Sequence, residues 1–374
     1  MTSRERILAV LHGKTPDRVP VCPDISNMVP CRLTGKPFWD IYLYQDPPLW
    51  KAYIDAVKYF GIDGGFELYD FGKTDPASGE KNVVEERIVQ KTEERIVTRE
   101  FNPQTGNWEK NATVYTRDNP PGKHVDPLNI GLPAVPSEWE PVSGVKNWPQ
   151  GYELWKLIKN ELGEHGVLGM RSGFSTNLLG VNTENIYSYY DNPEKWQILA
   201  QERTIKALEI IKKSAALPVR PDFFFCGGSG SMIAQTPDMV RELILPGIKK
   251  ITGLAKDFGI PTHVHSCGPE KELVKMMAEE TDLTIIDPLE IPPMGDCLLA
   301  EVNEKWGKKI ALKGNLHTTE IMLKGNTQEV QSAARRALLD AAGSRFILST
   351  GDQCGRDTPD ENIFAMVETA EKYG

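Results

Sequence analysis

Apolar side chains recur at helical spacing from Ser3 to about Leu11 and again from Trp50 to Phe60. Turn residues and a short extended run follow each: Val19-Pro20-Val21 after the first, Phe66-Glu67-Leu68-Tyr69 after the second. Between Glu85 and Thr116 the period changes to two. Arg87-Ile88-Val89 and Arg95-Ile96-Val97-Thr98 are followed by a turn at Thr105-Gly106-Asn107 and a further alternating run from Ala112, which predicts an antiparallel meander inserted over residues 80–118. A Pro-rich connection over 119–149 leads out of it. Helices over 150–163, 193–215, 237–258 and 270–280 then precede strands over 166–170, 221–225, 261–265 and 283–287. Two further units end in strands at 309–315 and 345–352, and a last helix runs over 358–373.

Alternating strands and helices imply a parallel sheet with right-handed crossovers. About eight such units in a chain of 374 residues favour an α/β fold of the closed (β/α)8 TIM-barrel type, spanning residues 1–374 as one domain. An open doubly wound sheet is the alternative. It lacks a nucleotide fingerprint here: no Gly-x-Gly-x-x-Gly follows the first strand, and Gly227-Gly228-Ser229-Gly230 is not followed by Lys-Ser or Lys-Thr.

Composition narrows the function. With 40% apolar and 25% charged residues the chain builds a sizeable core, and a net charge of -9 without blocks of like charge argues against nucleic acid and anionic membrane partners. Thr2-Ser3-Arg4-Glu5 reads as a helix start rather than a secretory signal, and no segment approaches the ~20 apolar residues of a membrane span. A cytoplasmic protein with its six cysteines reduced is expected.

Barrel enzymes carry their chemistry just beyond the C-terminal strand ends. There the sequence delivers Cys22, Asp24 and Asn27; Arg171, Ser172 and Asn177; Cys226; His263, His265 and Cys267; Asp287 and Glu290; Asn315 and His317; and Asp352 with Cys354. Alternate residues of a strand point the same way, so His265 and Cys267 can share one ion, with Cys354 reaching across the mouth as a third N/S donor of a catalytic zinc. The same residues equally suit a buried histidine and two inert thiols. His263, in phase with His265, suits a ligand, a supporting partner or a substrate contact. Asp287 and Glu290 suit an acid/base pair, or Asp287-Pro288 a structural turn. His317 suits a substrate contact or a helix cap, and Thr358 a cap with Pro359 at the first helical position.

Thr2-Ser3-Arg4-Glu5-Arg6, Pro16-Asp17-Arg18-Val19-Pro20, Val264-His265-Ser266-Cys267-Gly268 and Thr358-Pro359-Asp360-Glu361-Asn362-Ile363 together resemble the uroporphyrinogen decarboxylase superfamily over nearly the whole chain. Within it the sequence looks like the corrinoid-dependent methyltransferase branch, which moves methyl groups between small molecules and the cobalt of a corrinoid protein. The decarboxylases' Arg-Gln-Ala-Gly-Arg segment is replaced by Asp24-Ile25-Ser26-Asn27-Met28, which argues against porphyrinogen decarboxylation.

That branch's thiol-methylating members bind zinc through His-x-Cys and a distant Cys, which implies His265, Cys267 and Cys354. Here, however, Asp352-Gln353 separates Gly351 from Cys354. Gly351-Asp352-Gln353 with Gly355-Arg356-Asp357-Thr358-Pro359 resembles the methyltransferase I components of phenyl methyl ether O-demethylases. Some of those are thought to use Glu, Glu and His; Glu242 and His263 match part of that pattern, but Gly227 stands where the other Glu would be.

The expected function is methyl transfer from a methoxylated aromatic to a separate corrinoid protein, with Asp287, His263 or Asp352 as acid and Asp24, Asn27, Asn177 and Asn315 as substrate contacts. The alternatives are zinc-dependent methylation of a thiol by a methylcorrinoid protein and a non-catalytic tetrapyrrole-binding barrel.

Overall fold

The computed structural model describes residues 1–65 and 84–374. The expected strand Phe66-Glu67-Leu68-Tyr69 and residues 80–83 of the expected insertion lie outside the described residues. Two compact units emerge, one of Met1–Asp24, Val57–Leu68 and Lys159–Gly374, the other of Ile25–Ala56 and Tyr69–Ile158.

The second unit carries an antiparallel sheet of β1 (Glu85–Lys91), β2 (Arg95–Asn102), β3 (Asn107–Thr116), β4 (Gly122–Val125) and β5 (Glu140–Pro141), in the order β4-β3-β2-β1-β5. The sheet thus runs past the expected end of the meander into the Pro-rich connection. Ile88 pairs with Thr98 and Ile96 with Tyr115, so that Ile88, Ile96 and Tyr115 close on Leu43 in one apolar cluster. Helices Met28–Leu33 and Phe38–Tyr42 build another from Cys31, Phe38 and Ile41.

In the first unit six parallel strands lie side by side in chain order: β6 (Gly169–Arg171), β7 (Phe223–Phe225), β8 (Thr262–His265), β9 (Ile285–Asp287), β10 (Ala311–Leu316) and β11 (Phe346–Thr350). Two further positions close the ring. Val21 bridges Leu348 of β11, Asp63 N–H donates to Val21 C=O at 2.8 Å, and Gly64 bridges Gly166 just ahead of β6. The result is the expected (β/α)8 barrel, with its first two strands reduced to single bridges.

Strand alternation then sorts the interior into layers. Val167, Phe223, Ile285, Ala311 and Ile347 form an apolar floor, against which helix Ser3–Leu11 packs Ile7, Val10 and Leu11. Two residues further along the same inward rows stand Asp287, Lys313 and Ser349, with His263 of β8 in register with Ile285, all buried.

The surrounding helices follow ordinary rules. Pro193–Ala215 starts on Asn192, whose side chain accepts from Lys195 N–H, and buries Trp196, Ala200, Thr204, Ala207 and Ile211 along one stripe. Two expectations need correction. The helix expected over 237–258 is divided into Pro237–Met239, a wider turn Val240–Ile244 and Leu245–Asp257, because Pro246 supplies no N–H to the turn before it. The last helix begins at Asp360 with Pro359, not Thr358, at its N-cap position and no side-chain cap. Among the described residues no helix is long and apolar enough to cross a membrane.

Candidate functional site

A charged network fills the barrel interior above the floor. Asp287, at the end of β9, receives Lys313 Nζ at 2.5 Å on one carboxylate oxygen, while His263 Nε2 and His265 Nδ1 each lie 2.9 Å from the other. Burial by itself would raise this carboxyl, but the charge of Lys313, helped by both histidines, overrides it and holds Asp287 well below the usual carboxylate range. Lys313 is raised in turn: burial lowers it, but the charges of Asp287, Cys22 and Asp24 and the hydrogen bond to Asp287 together outweigh that.

An ionised carboxylate can only accept. His265 Nδ1 therefore carries its hydrogen toward Asp287, and Nε2 is the ring nitrogen left to face the mouth. That nitrogen lies 3.7 Å from Asp352 Oδ1.

Asp352 belongs to the second feature, a group of possible metal donors. One ligand atom each from Cys267, Glu290 and Asp352 lies within 4.8 Å of the others, with His265 Nε2 beside Asp352. Zinc accepts thiolate, carboxylate and imidazole at ~2.0–2.3 Å, and its tetrahedral donors then lie roughly 3.3–3.8 Å apart, so these side chains suit it in kind and need only a small inward shift to close on one ion. The group is assembled by loops at strand ends. Asp352 takes φ +99°, which L-residues seldom adopt, in a turn held by Gly351 N–H to Leu316 C=O at 2.7 Å and Thr350 Oγ1 to Asp352 C=O at 2.7 Å. Glu290 accepts the Gly268 N–H. Burial lifts its carboxyl above the usual range, partly offset by that hydrogen bond.

Cys354 is placed differently from its expected role. It is not part of the donor group; its backbone N–H donates to Asp24 C=O at 2.8 Å, and its thiol, sealed beside Thr350 and Thr358, is pushed up to about 12 by burial and by the charge of Asp24. Asp24 itself is fixed by its N–H to Thr350 Oγ1 at 3.0 Å, and its charge adds to the rise at Lys313.

Asn315 is buried, donates from Nδ2 to Leu289 C=O at 3.2 Å, and lines a small recess together with Glu290, His317 and Gly351. Asn177 ties the loop after β6 to Ser229 C=O at 2.8 Å. Asn27 falls in the second unit, at the N-cap position of helix Met28–Leu33. His317 caps, its Nδ1 accepting from Thr319 and Glu320 N–H. Glu242 is engaged by Tyr189 Oη and Gln197 Nε2, both at 2.6 Å.

Lys313 and Glu270 were not anticipated. Lys313 had a readable signal, since it stands in the inward row Ala311-Lys313-Asn315. Glu270 stood only as the first residue of the helix expected over 270–280. It is fully buried and accepts Leu289 N–H at 3.3 Å, and burial followed by the charge of Asp287 raises its carboxyl well above the usual range.

A closed βα barrel with ionisable groups lining its C-terminal mouth defines the class of this fold and site. Residues 189–373 match the family described as uroporphyrinogen decarboxylase (URO-D). A solved structure shares the barrel fold along the whole length of this chain. That structure is a methyltransferase from Methanosarcina mazei, similar at 18% identity and a TM-score of 0.64 over 100% of this chain and 99% of the other; at this identity the likeness concerns the fold. A putative vitamin-B12 independent methionine synthase from Listeria monocytogenes gives 14% identity and a TM-score of 0.38 over 61% of this chain and 71% of the other, too low to carry an argument. No curated protein matches the sequence.

Proposed function

We propose that the protein is a methyltransferase that takes the methyl group of a methoxylated aromatic and delivers it to the cobalt of a corrinoid held by a separate protein. The match of residues 189–373 to the uroporphyrinogen decarboxylase family and the fold shared with the Methanosarcina mazei methyltransferase support the class. One observation carries the direction. The donor that joins Cys267 from the end of β11 is the carboxylate of Asp352 rather than the thiol of Cys354, which departs from the two-cysteine set expected of thiol methylation.

In this reading Cys267, Glu290 and Asp352 would hold a zinc ion whose fourth position is left open to substrate, with His265 Nε2 beside Asp352. Bound there, zinc supplies Lewis acidity at the ether oxygen. Asp287 is a positioning residue: it fixes the tautomer and ring orientation of His265, is itself pinned by Lys313 and His263, and stays ionised, so it does not act as the acid. Asn315 and Asn177 present amides to the aromatic's polar substituents. The corrinoid's cobalt(I) attacks the methyl carbon, the carbon–oxygen bond breaks, and its electron pair leaves with the aryl oxygen as phenolate.

The test is incubation of the purified protein with reduced corrinoid protein and a panel of methoxyarenes, following cobalt methylation by absorbance, beside zinc analysis of the wild type and three variants. Methylation by at least one donor is expected, with zinc lost in Cys267→Ala and Asp352→Asn and kept in Cys354→Ala. No methylation from any donor refutes the reading. Turnover with a thiol acceptor and methylcorrinoid protein, together with zinc loss in Cys354→Ala, establishes the thiol-methylating alternative.

A further inference from the structure

The second unit holds a cleft of about 410 Å3, bounded by Arg99, Trp108, Lys110, Asp126, Leu128 and Val135. Its volume lies in the range of small-molecule sites, roughly 300–1,000 Å3. Arg99 is its anomaly. This side chain is only 3% exposed, yet its guanidinium donates to neutral groups alone: the carbonyls of Ala134 at 2.6 Å, Lys110 at 3.4 Å and Glu109. Its Nε is buried with no hydrogen-bond partner, and among the described residues the one carboxylate that acts on it, Asp126, does so through space alone. Buried charges are ordinarily paired, because an isolated one carries a large desolvation penalty.

The nearest acid does not meet this need. Asp126 places its carboxylate on the N–H of Leu128 at 2.9 Å, where it caps the turn Pro127–Ile130, and reaches Arg99 only through space. Burial accordingly holds the Arg99 guanidinium below its usual range. Arg99 and Lys110 set against Asp126 leave one excess positive charge at the cleft.

The walls are apolar and built in advance. Trp108 is packed edge-on against Phe101 at 5.1 Å and Trp139 at 6.4 Å, and its ring lies 5.8 Å from the Arg99 guanidinium. Leu128 and Val135 are 63% and 67% exposed, large apolar surfaces open to water beside a charge with no partner.

We propose that this cleft binds a small monocarboxylate with an aromatic or branched apolar body, its carboxylate drawn to the uncompensated charge of Arg99 and Lys110 and its body resting on Trp108, Leu128 and Val135. One net positive charge matches a monoanion rather than a phosphate. The proposal is independent of the barrel chemistry.

Calorimetric titration of the full chain with benzoate, isovalerate, benzamide and inorganic phosphate tests it. Saturable binding of at least one carboxylate is expected, with benzamide and phosphate each at least tenfold weaker. Arg99→Met removes three links to backbone carbonyls and can unfold the insertion, so the decisive variants lie on the wall: Val135→Glu and Lys110→Glu should each weaken carboxylate binding at least tenfold with the thermal midpoint unchanged. Absence of saturable carboxylate binding, benzamide or phosphate binding as well as benzoate, or unaltered affinity in both variants overturns the proposal.

Discussion

Replacing Asp287 by Asn tests whether the charged network is a paired unit. The side chains of Lys313 and Asp287 are each only 4% exposed and meet at 2.5 Å, so the neutral amide leaves an ammonium buried without its anion. Breaking a buried pair by removing one partner destabilises by about 3–5 kcal/mol. A second route gives a similar figure. Lys313 can escape by shedding its proton, and for a lysine that titrates near ~10.4 when free this costs about 4.6 kcal/mol at pH 7, at about 1.4 kcal/mol for each pH unit.

The second route also fixes a pH dependence. Neutralising lysine becomes easier as pH rises, so the penalty in Asp287→Asn should shrink toward pH 10. The double variant Asp287→Asn with Lys313→Met removes the stranded charge and should recover at least half of the loss. Hydrogen exchange of the amides of Val264, Ile286 and Leu312, in the ladders of β8, β9 and β10, reads the effect where it arises and avoids assuming one global transition for two units. A loss below about 1 kcal/mol, or a double variant as unstable as the single one, refutes the reasoning.

Gly166→Ala should lower stability by about 1–3 kcal/mol, because the added Cβ would stand 2.0 Å from Gly64 C=O at the barrel seam and both neighbours are backbone; an unchanged thermal midpoint would contradict this. Asp222 accepts Arg4 at 2.7 and 2.5 Å, Lys159 at 3.0 Å and Leu168 N–H at 2.8 Å; burial opposes ionisation, but these partners lower its carboxyl below the usual range. Its contribution to stability is therefore complete above ~3.9 and lost as pH falls toward the lower folded value, so Asp222→Asn should flatten the acid limb of a midpoint-versus-pH curve, and parallel curves would rule the linkage out. In peptide mapping after iodoacetamide at pH 8, half-buried Cys267 should be alkylated while Cys226 and Cys354, buried and both pushed up to about 12, stay intact; zinc should protect Cys267, and modification of Cys354 first would show that its thiol is not sealed.

The parts of this protein legible in its sequence are those that a regular repeat controls. Alternating βα units announced the barrel, and period two along the strands placed His263, His265 and Asp287 on one interior surface, where the structure has them in contact. The first two barrel positions were harder to read because Val21 and Gly64 join through single bridges, too short for any periodicity.

Lys313 obeys the same inward phase, yet a lysine in a strand ordinarily marks a solvated face. Only a closed barrel, with Asp287 one strand away, turns it into half of a buried pair. Cys354 lies beyond the reach of strand logic altogether. β11 ends at Thr350, and the backbone then turns through Asp352 at φ +99°, so whether residue 352 or 354 faces the mouth is decided by two torsions rather than by parity. That turn brings a carboxylate, not a thiol, to Cys267 and Glu290, and a harder donor set of this kind suits an oxygen-bearing substrate better than a sulfur one.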